Sequence, residues 1–120
     1  MSLNVLIVED ESIIALDIEF KLKSAGFNVY KALSGESALK IINDKIDLIL
    51  MDIQLNGKLD GIKTAIQIRK NFNTPIIYIT GNQGLKIQEK IKLTEPYTFI
   101  KKPFDEVQLQ ETIKNSLNCK

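Results

Sequence analysis

Short apolar runs alternate along the chain with stretches in which apolar residues recur every three or four positions. Runs of this length suit strands of a sheet, and recurrence at three and four suits helices with one covered face. The runs are "NVLIV" (4–8), "NVYKA" (28–32), "DLILM" (47–51), "PIIYI" (75–79) and "YTFIK" (97–101). The first, third and fourth are the most apolar, which predicts central strands covered on both faces. The third runs straight into an acid, Asp52, and that abrupt change needs a reason.

The helices have readable ends. The first is expected over 12–25, with Ile13, Leu16 and Phe20 on one face and Gly26 placed to end it in a left-handed turn. The second follows Ser34 as N-cap, with Glu36 in its first turn and Ala38, Ile41 and Ile42 facing inward. The third begins near Asp60 and presents Ile62, Ala65 and Ile66, with Arg69 as the solvated rim of the series. The fourth, 85–93, has the weakest periodicity. The fifth opens with Asp105 and Gln108 in capping-box spacing and presents Leu109, Ile113 and Leu117. Strands alternating with helices predict an α/β fold, a parallel sheet with helices on both faces.

Composition narrows the chemistry. The 120 residues fit one domain, 1–120, and 44% hydrophobic with 26% charged residues is the composition of a folded globular chain. A net charge of +1 gives no electrostatic footprint for nucleic acid or an anionic membrane. The apolar runs fall far short of the ~18 residues of a membrane span, and the N-terminus has no signal-peptide pattern, so a cytoplasmic location is expected. Histidine is absent and Cys119 is the lone cysteine, so chemistry must rest on carboxylates, lysine or hydroxyls.

In an open parallel sheet, ligands bind beyond the carboxyl ends of the strands. Strand one ends in Glu9, Asp10 and Glu11, strand three in Asp52, strand four in Thr80, and strand five in Lys101, Lys102 and Pro103. Each of these residues alone has an ordinary explanation: polar loops supply acids, a threonine caps local backbone, a lysine is solvated, and Tyr78 and Phe99 are core or half-buried strand residues. Lysines 86, 90 and 92 read as a solvated helix face. Together, the strand ends make an acidic edge with one hydroxyl and one ammonium. Carboxylates crowded in a crevice require a cation, and an all-oxygen donor set suits magnesium. Those parts equip a site for phosphoryl transfer by positioning and charge neutralisation, with Asp52 as metal ligand, nucleophile or both.

The motifs "LIVEDE", "DLILMDIQL" with "DGI" after it, "PIIYITG" and "FIKKPF" resemble, in this order and over essentially the whole chain, the receiver domain of two-component response regulators. The resemblance implies a flavodoxin-like (βα)5 fold with strand order 2-1-3-4-5. It implies that Asp52 accepts a phosphoryl group from the phosphohistidine of a sensor histidine kinase or a phosphotransfer protein. Asp10 matches a direct magnesium ligand, Glu9 an acid acting through water, and the backbone carbonyl of Gln54 a further ligand, with manganese an admissible substitute. Thr80 matches the hydroxyl that holds a phosphoryl oxygen, Phe99 the aromatic that follows it, and Lys102 the lysine that pairs with the phosphoryl group. Lys101 and Lys102 should point to opposite faces, so only one can serve. The resemblance also implies a cis peptide bond before Pro103. It further implies an output surface of helix 4, strand 5 and helix 5, for an unknown partner or a homodimer, and a switch rather than an enzyme with its own turnover substrate.

The chain departs from the family pattern in places. The loop "IQLNGKLDG" lacks a frequent proline and turns instead at Asn56-Gly57, Gly81 replaces a frequent alanine, and Gln54 and Asn82 stand where acyl-phosphate lifetime is tuned. Two other readings fit parts of the sequence. One is a receiver-like interaction module that needs no phosphate; the other is a small magnesium-dependent phosphatase with Asp52 as nucleophile, which would need a general acid and a cap.

Overall fold

The computed structural model describes residues 2–55, 57–81 and 89–118. Its strands are β1 (Asn4–Val8), β2 (Asn28–Ala32), β3 (Leu48–Asp52), β4 (Ile76–Thr80) and β5 (Tyr97–Lys101). All neighbouring pairs are parallel, in the order β2-β1-β3-β4-β5. The helices are α1 (Ser12–Ser24), α2 (Gly35–Ile41), α3 (Gly61–Arg69), a 3₁₀ helix (Glu89–Thr94) and α4 (Glu106–Asn118), the fifth of the predicted helices. The α/β class, the flavodoxin-like strand order and the positions of the five strands match the expectation. Strands β3 and β4 sit one residue later than predicted, so that Asp52 and Thr80 are themselves strand residues. Asn56, Asn82, Lys86, residues 85–88 of the fourth predicted helix and Cys119 lie outside the described residues.

Alternation along the strands sorts the core into two layers. Leu6, Val8, Ile49, Met51, Ile76 and Tyr78 pack with Ile62, Ala65 and Ile68 of α3 and Ile91 of the 3₁₀ helix. Val5, Ile7, Leu48, Leu50, Ile77 and Ile79 pack with Ile18 and Leu22 of α1 and Leu109 and Ile113 of α4. Every residue of β3 is buried, as a central strand covered on both faces requires.

The helix ends follow the capping logic. The Ser34 hydroxyl accepts from the Ser37 amide at 3.0 Å, and the Asp60 carboxylate from the Lys63 amide at 2.8 Å. Asp105 and Gln108 cap reciprocally, with the Gln108 amide donating to Asp105 Oδ1 at 2.8 Å and the Asp105 amide to Gln108 Oε1 at 3.0 Å. Gly26, at φ +93°, carries the chain out of α1. Both Lys102–Pro103 and Glu95–Pro96 are cis; the first was expected, the second was not.

Two side-chain assignments are corrected. Ile13, Leu16 and Phe20 do share a face of α1, but it is the outer one, 82%, 58% and 71% exposed. Ala15, Ile18 and Leu22 face the sheet instead. The helix carries two apolar series at helical spacing, and only the sheet decides which is covered. Arg69 is not a solvated rim. It is half-buried, with its guanidinium donating to the carbonyls of Thr94, Glu95, Phe72 and Pro96 at 2.8–3.2 Å.

Gly61, the first residue of α3, lies against the end of β3. A Cβ there would overlap the Asp52 carbonyl oxygen and lie 2.8 Å from Ile53 Cα, both backbone atoms that cannot yield cheaply. At Gly81, by contrast, among the described residues a Cβ would meet only Lys102 Cδ at 3.6 Å, an ordinary contact. Urea unfolding should therefore find Gly61→Ala destabilising by ~1–3 kcal/mol through overpacking, with Gly81→Ala neutral or slightly stabilising. Equal effects at the two glycines would contradict this.

Candidate functional site

The carboxyl ends of β1 and β3 bring two acids into the interior. Alternation from Val5 and Ile7 places Glu9 on the face covered by α1 and α4, and alternation from Leu48 and Leu50 places Asp52 there too. Glu9 is fully buried and Asp52 only 5% exposed. Asp10 follows Glu9 into the β1–α1 turn and is half-buried. One carboxylate oxygen from each of Glu9, Asp10 and Asp52 lies within 4.8 Å of the others, the separation of ligands around one cation.

Among the described residues, few groups offset the charges of Glu9 and Asp52. Glu9 Oε2 accepts from the Glu11 amide at 3.1 Å, and Glu9 Oε1 stands 3.5 Å from Lys102 Nζ, an ion pair too long for a hydrogen bond. Among the described residues Glu9 Oε1 has no hydrogen-bond partner, although it is buried. Burial pushes the Glu9 carboxyl up to about 7, and the neighbouring Asp52 adds to the rise, against the lowering by the Glu11 amide and Lys102. Asp52 Oδ1 accepts from the Gln54 amide at 3.0 Å, a short turn that orients the carboxylate. An unpartnered buried oxygen among three carboxyl groups is the environment a hard cation satisfies, so the donor set fits a divalent ion with oxygen ligands.

Register decides which lysine joins the acids. Thr80 pairs with Lys101, and Tyr78 with Phe99, so these four share one face of the sheet. Lys102 follows on the opposite face, the face of Asp52 and Glu9, while Lys101 is exposed. Thr80 ends β4 half-buried, one residue beyond Ile79, the register partner of Asp52. Phe99 is 36% exposed on the outside of β5. The structure thus brings Glu9, Asp10, Asp52 and Lys102 together, sets the Gln54 amide on Asp52, and leaves Thr80 and Phe99 on the other side of the sheet edge.

A buried anionic cluster of this kind, mounted on strand ends beside one lysine, can bind a cation and present a carboxylate oxygen to an electrophile. The description "Response regulator receiver domain" fits residues 5–114 by comparison with family models. The chain belongs to this family. An uncharacterised transcriptional regulatory protein of Bacillus subtilis (strain 168), YrkP, is 34% identical over 113 residues, which cover 94% of this chain and 48% of the relative. The receiver thus spans about half the length of that curated relative. Among solved structures, the N-terminal domain of a response regulator/sensory box/GGDEF 3-domain protein from Carboxydothermus hydrogenoformans superposes with a TM-score of 0.89 at 33% identity, covering 95% of this chain and 93% of the other. The receiver domain of NtrX from Brucella abortus gives 0.86 at 29% identity, covering 97% and 99%. No helix among the described residues is long and apolar enough to cross a membrane.

Sequence reasoning gave no role to Gly61, whose missing side chain lets α3 approach the Asp52 backbone. Its signal was a glycine in the first turn of a helix, where alanine would be favoured by ~1 kcal/mol unless space forbids it.

The burial of Glu9 has a measurable consequence in the absence of divalent ions. Its carboxyl is protonated up to about pH 7 in the folded chain, against 4.5 for an ordinary glutamate. The native state therefore binds more protons across that window, and stability falls as pH rises through it, by at most ~3.5 kcal/mol. Thermal unfolding between pH 4.5 and 8 should show that fall in the receiver and lose it in Glu9→Gln; a fall of the same size in both would contradict the assignment.

Proposed function

We propose that this receiver is the phosphorylatable switch of a two-component system, in which Asp52 accepts a phosphoryl group from the phosphohistidine of a sensor histidine kinase or phosphotransfer protein. The observation that carries the reading is the placing of Asp52 at the end of a buried strand, within 4.8 Å of the Glu9 and Asp10 oxygens and on the face of Lys102. An Asp52 oxygen forms the new P–O bond as the donor's P–N bond breaks, and the electron pair leaves with the imidazole nitrogen. The product is an acyl phosphate.

Asp10, Asp52 and the Gln54 backbone carbonyl would hold a magnesium ion, with Glu9 acting through water and manganese able to substitute. When bound, that ion supplies neutralisation of the phosphoryl and carboxylate charge. Lys102 pairs with a phosphoryl oxygen, exchanging its long contact to Glu9 for a shorter one. Thr80 donates its hydroxyl to another phosphoryl oxygen, and its shift lets Phe99 turn inward. The surface of the 3₁₀ helix, β5 and α4 then changes for an output partner or a second copy. The chain acts as one receiver domain over residues 1–120 in the cytoplasm, assisting its own phosphorylation and dephosphorylation without a separate turnover substrate.

Incubation with acetyl phosphate and magnesium should add the mass of one phosphoryl group to the intact chain. The gain should be abolished in Asp52→Ala and by chelation of the metal, and reduced at least ~10-fold in rate in Lys102→Ala through lost charge stabilisation. Full mass gain in Asp52→Ala would refute the assignment.

A further inference from the structure

The face of the sheet that carries Thr80 holds a second buried arrangement, away from the carboxylates. Tyr78 is fully buried, and its hydroxyl donates to Thr94 Oγ1 at 2.7 Å. Thr94 is fully buried too, and its hydroxyl donates onward to the Ile91 carbonyl at 2.6 Å. The Thr94 backbone carbonyl accepts from Arg69 Nε at 3.0 Å, and the same guanidinium reaches the carbonyls of Glu95 and Pro96 at 2.8 Å each. One residue therefore joins β4, α3 and the 3₁₀ helix. The Tyr78 ring also touches both aromatics of β5, with centroids 5.8 Å from Tyr97 and 5.7 Å from Phe99.

We infer that the bond between the Tyr78 and Thr94 hydroxyls is a latch that holds the 89–94 segment to β4 and transmits a displacement of β4 at Thr80 to that segment. Thr80 lies two residues beyond Tyr78 on the same strand and face, so a shift at one is felt at the other. Tyr78 cannot move alone, because its hydroxyl would be left buried without a partner. It must carry Thr94 with it or release it. Arg69 clamps the backbone of 94–96 to α3, so the part free to yield is 89–93. Phe99, in register with Tyr78, packs against a ring whose position the latch fixes. The latch stands on this geometry alone; the transmission rests on the phosphoacceptor reading of Asp52.

Amide hydrogen exchange on the full chain separates the two. Tyr78→Phe removes the hydroxyl while Thr94 keeps its own bond to the Ile91 carbonyl, so no buried donor is orphaned. In the unphosphorylated protein, this variant should exchange the amides of 91–94 about five-fold faster than wild type, with β1 and β3 amides changed less than about two-fold. Thr94→Val, which also strands the buried Tyr78 hydroxyl and the Ile91 carbonyl, should accelerate exchange at 91–94 at least as much as Tyr78→Phe, and Thr94→Ser, which retains the hydroxyl, should behave like wild type. Unchanged exchange at 91–94, or uniform acceleration through β1 and β3, would overturn the latch. With acetyl phosphate and magnesium, wild type should gain further exchange at 91–94, and Tyr78→Phe, phosphorylated to the same extent, should gain less than half as much, roughly the share the latch supplies. Equal gains would overturn the transmission. A wild-type chain that takes up no phosphoryl group would overturn the Asp52 reading and the transmission with it, while the unphosphorylated comparison still decides the latch.

Discussion

The structure turns on the crowding of carboxyl groups at one edge of a parallel sheet. Glu9 is fully buried, Asp52 nearly so, and the only ammonium paired with either among the described residues, Lys102, stands 3.5 Å from Glu9. Burying ions without full compensation costs several kcal/mol, a large part of the net stability of a domain this size. The acids are mounted on β1 and β3, neighbouring inner strands of the sheet packed on both faces. What destabilises the resting edge also suits it to a cation, since a buried Glu9 oxygen is left without a hydrogen-bond partner among the described residues.

The two faces of the sheet divide the labour. Strand alternation sends Glu9, Asp52 and Lys102 to the α1 and α4 side, and Tyr78, Thr80, Tyr97 and Phe99 to the α3 side. The two faces come closest at the strand ends, where Thr80 stands one residue past the Asp52 rung. Gly61 belongs to the same design: its missing side chain lets the start of α3 close against the backbone that carries Asp52.

Much of this was legible in the sequence because it depends on local pattern. A run such as "LILM", in a chain where apolar runs alternate with helical patterns, reads as a covered strand, which puts the acid at its end on the sheet edge. The two-residue period likewise put Lys101 and Lys102 on opposite faces, and the resemblance chose Lys102 between them. The parts that failed depend on distant partners. Helix α1 carries two apolar series, 13, 16, 20 and 15, 18, 22, and periodicity gives no reason to choose between them; the sheet chose the series with the small Ala15. Arg69 looked like a surface residue because its acceptors are mostly backbone carbonyls some 25 residues away, which have no side-chain signature. The buried, unpartnered state of Glu9 Oε1 was equally invisible, being a property of the assembled edge.

Metal binding by the unphosphorylated chain tests the central claim most directly. Titration calorimetry with magnesium near pH 7, in two buffers of different ionisation enthalpy, should give one ion per chain with release of a fraction of a proton, because Glu9 is partly protonated before the ion arrives. Asp52→Asn should weaken that binding at least ~10-fold, as loss of one charged ligand implies. Binding that is undiminished in Asp52→Asn and Glu9→Gln alike, or no binding at millimolar magnesium, would contradict the account.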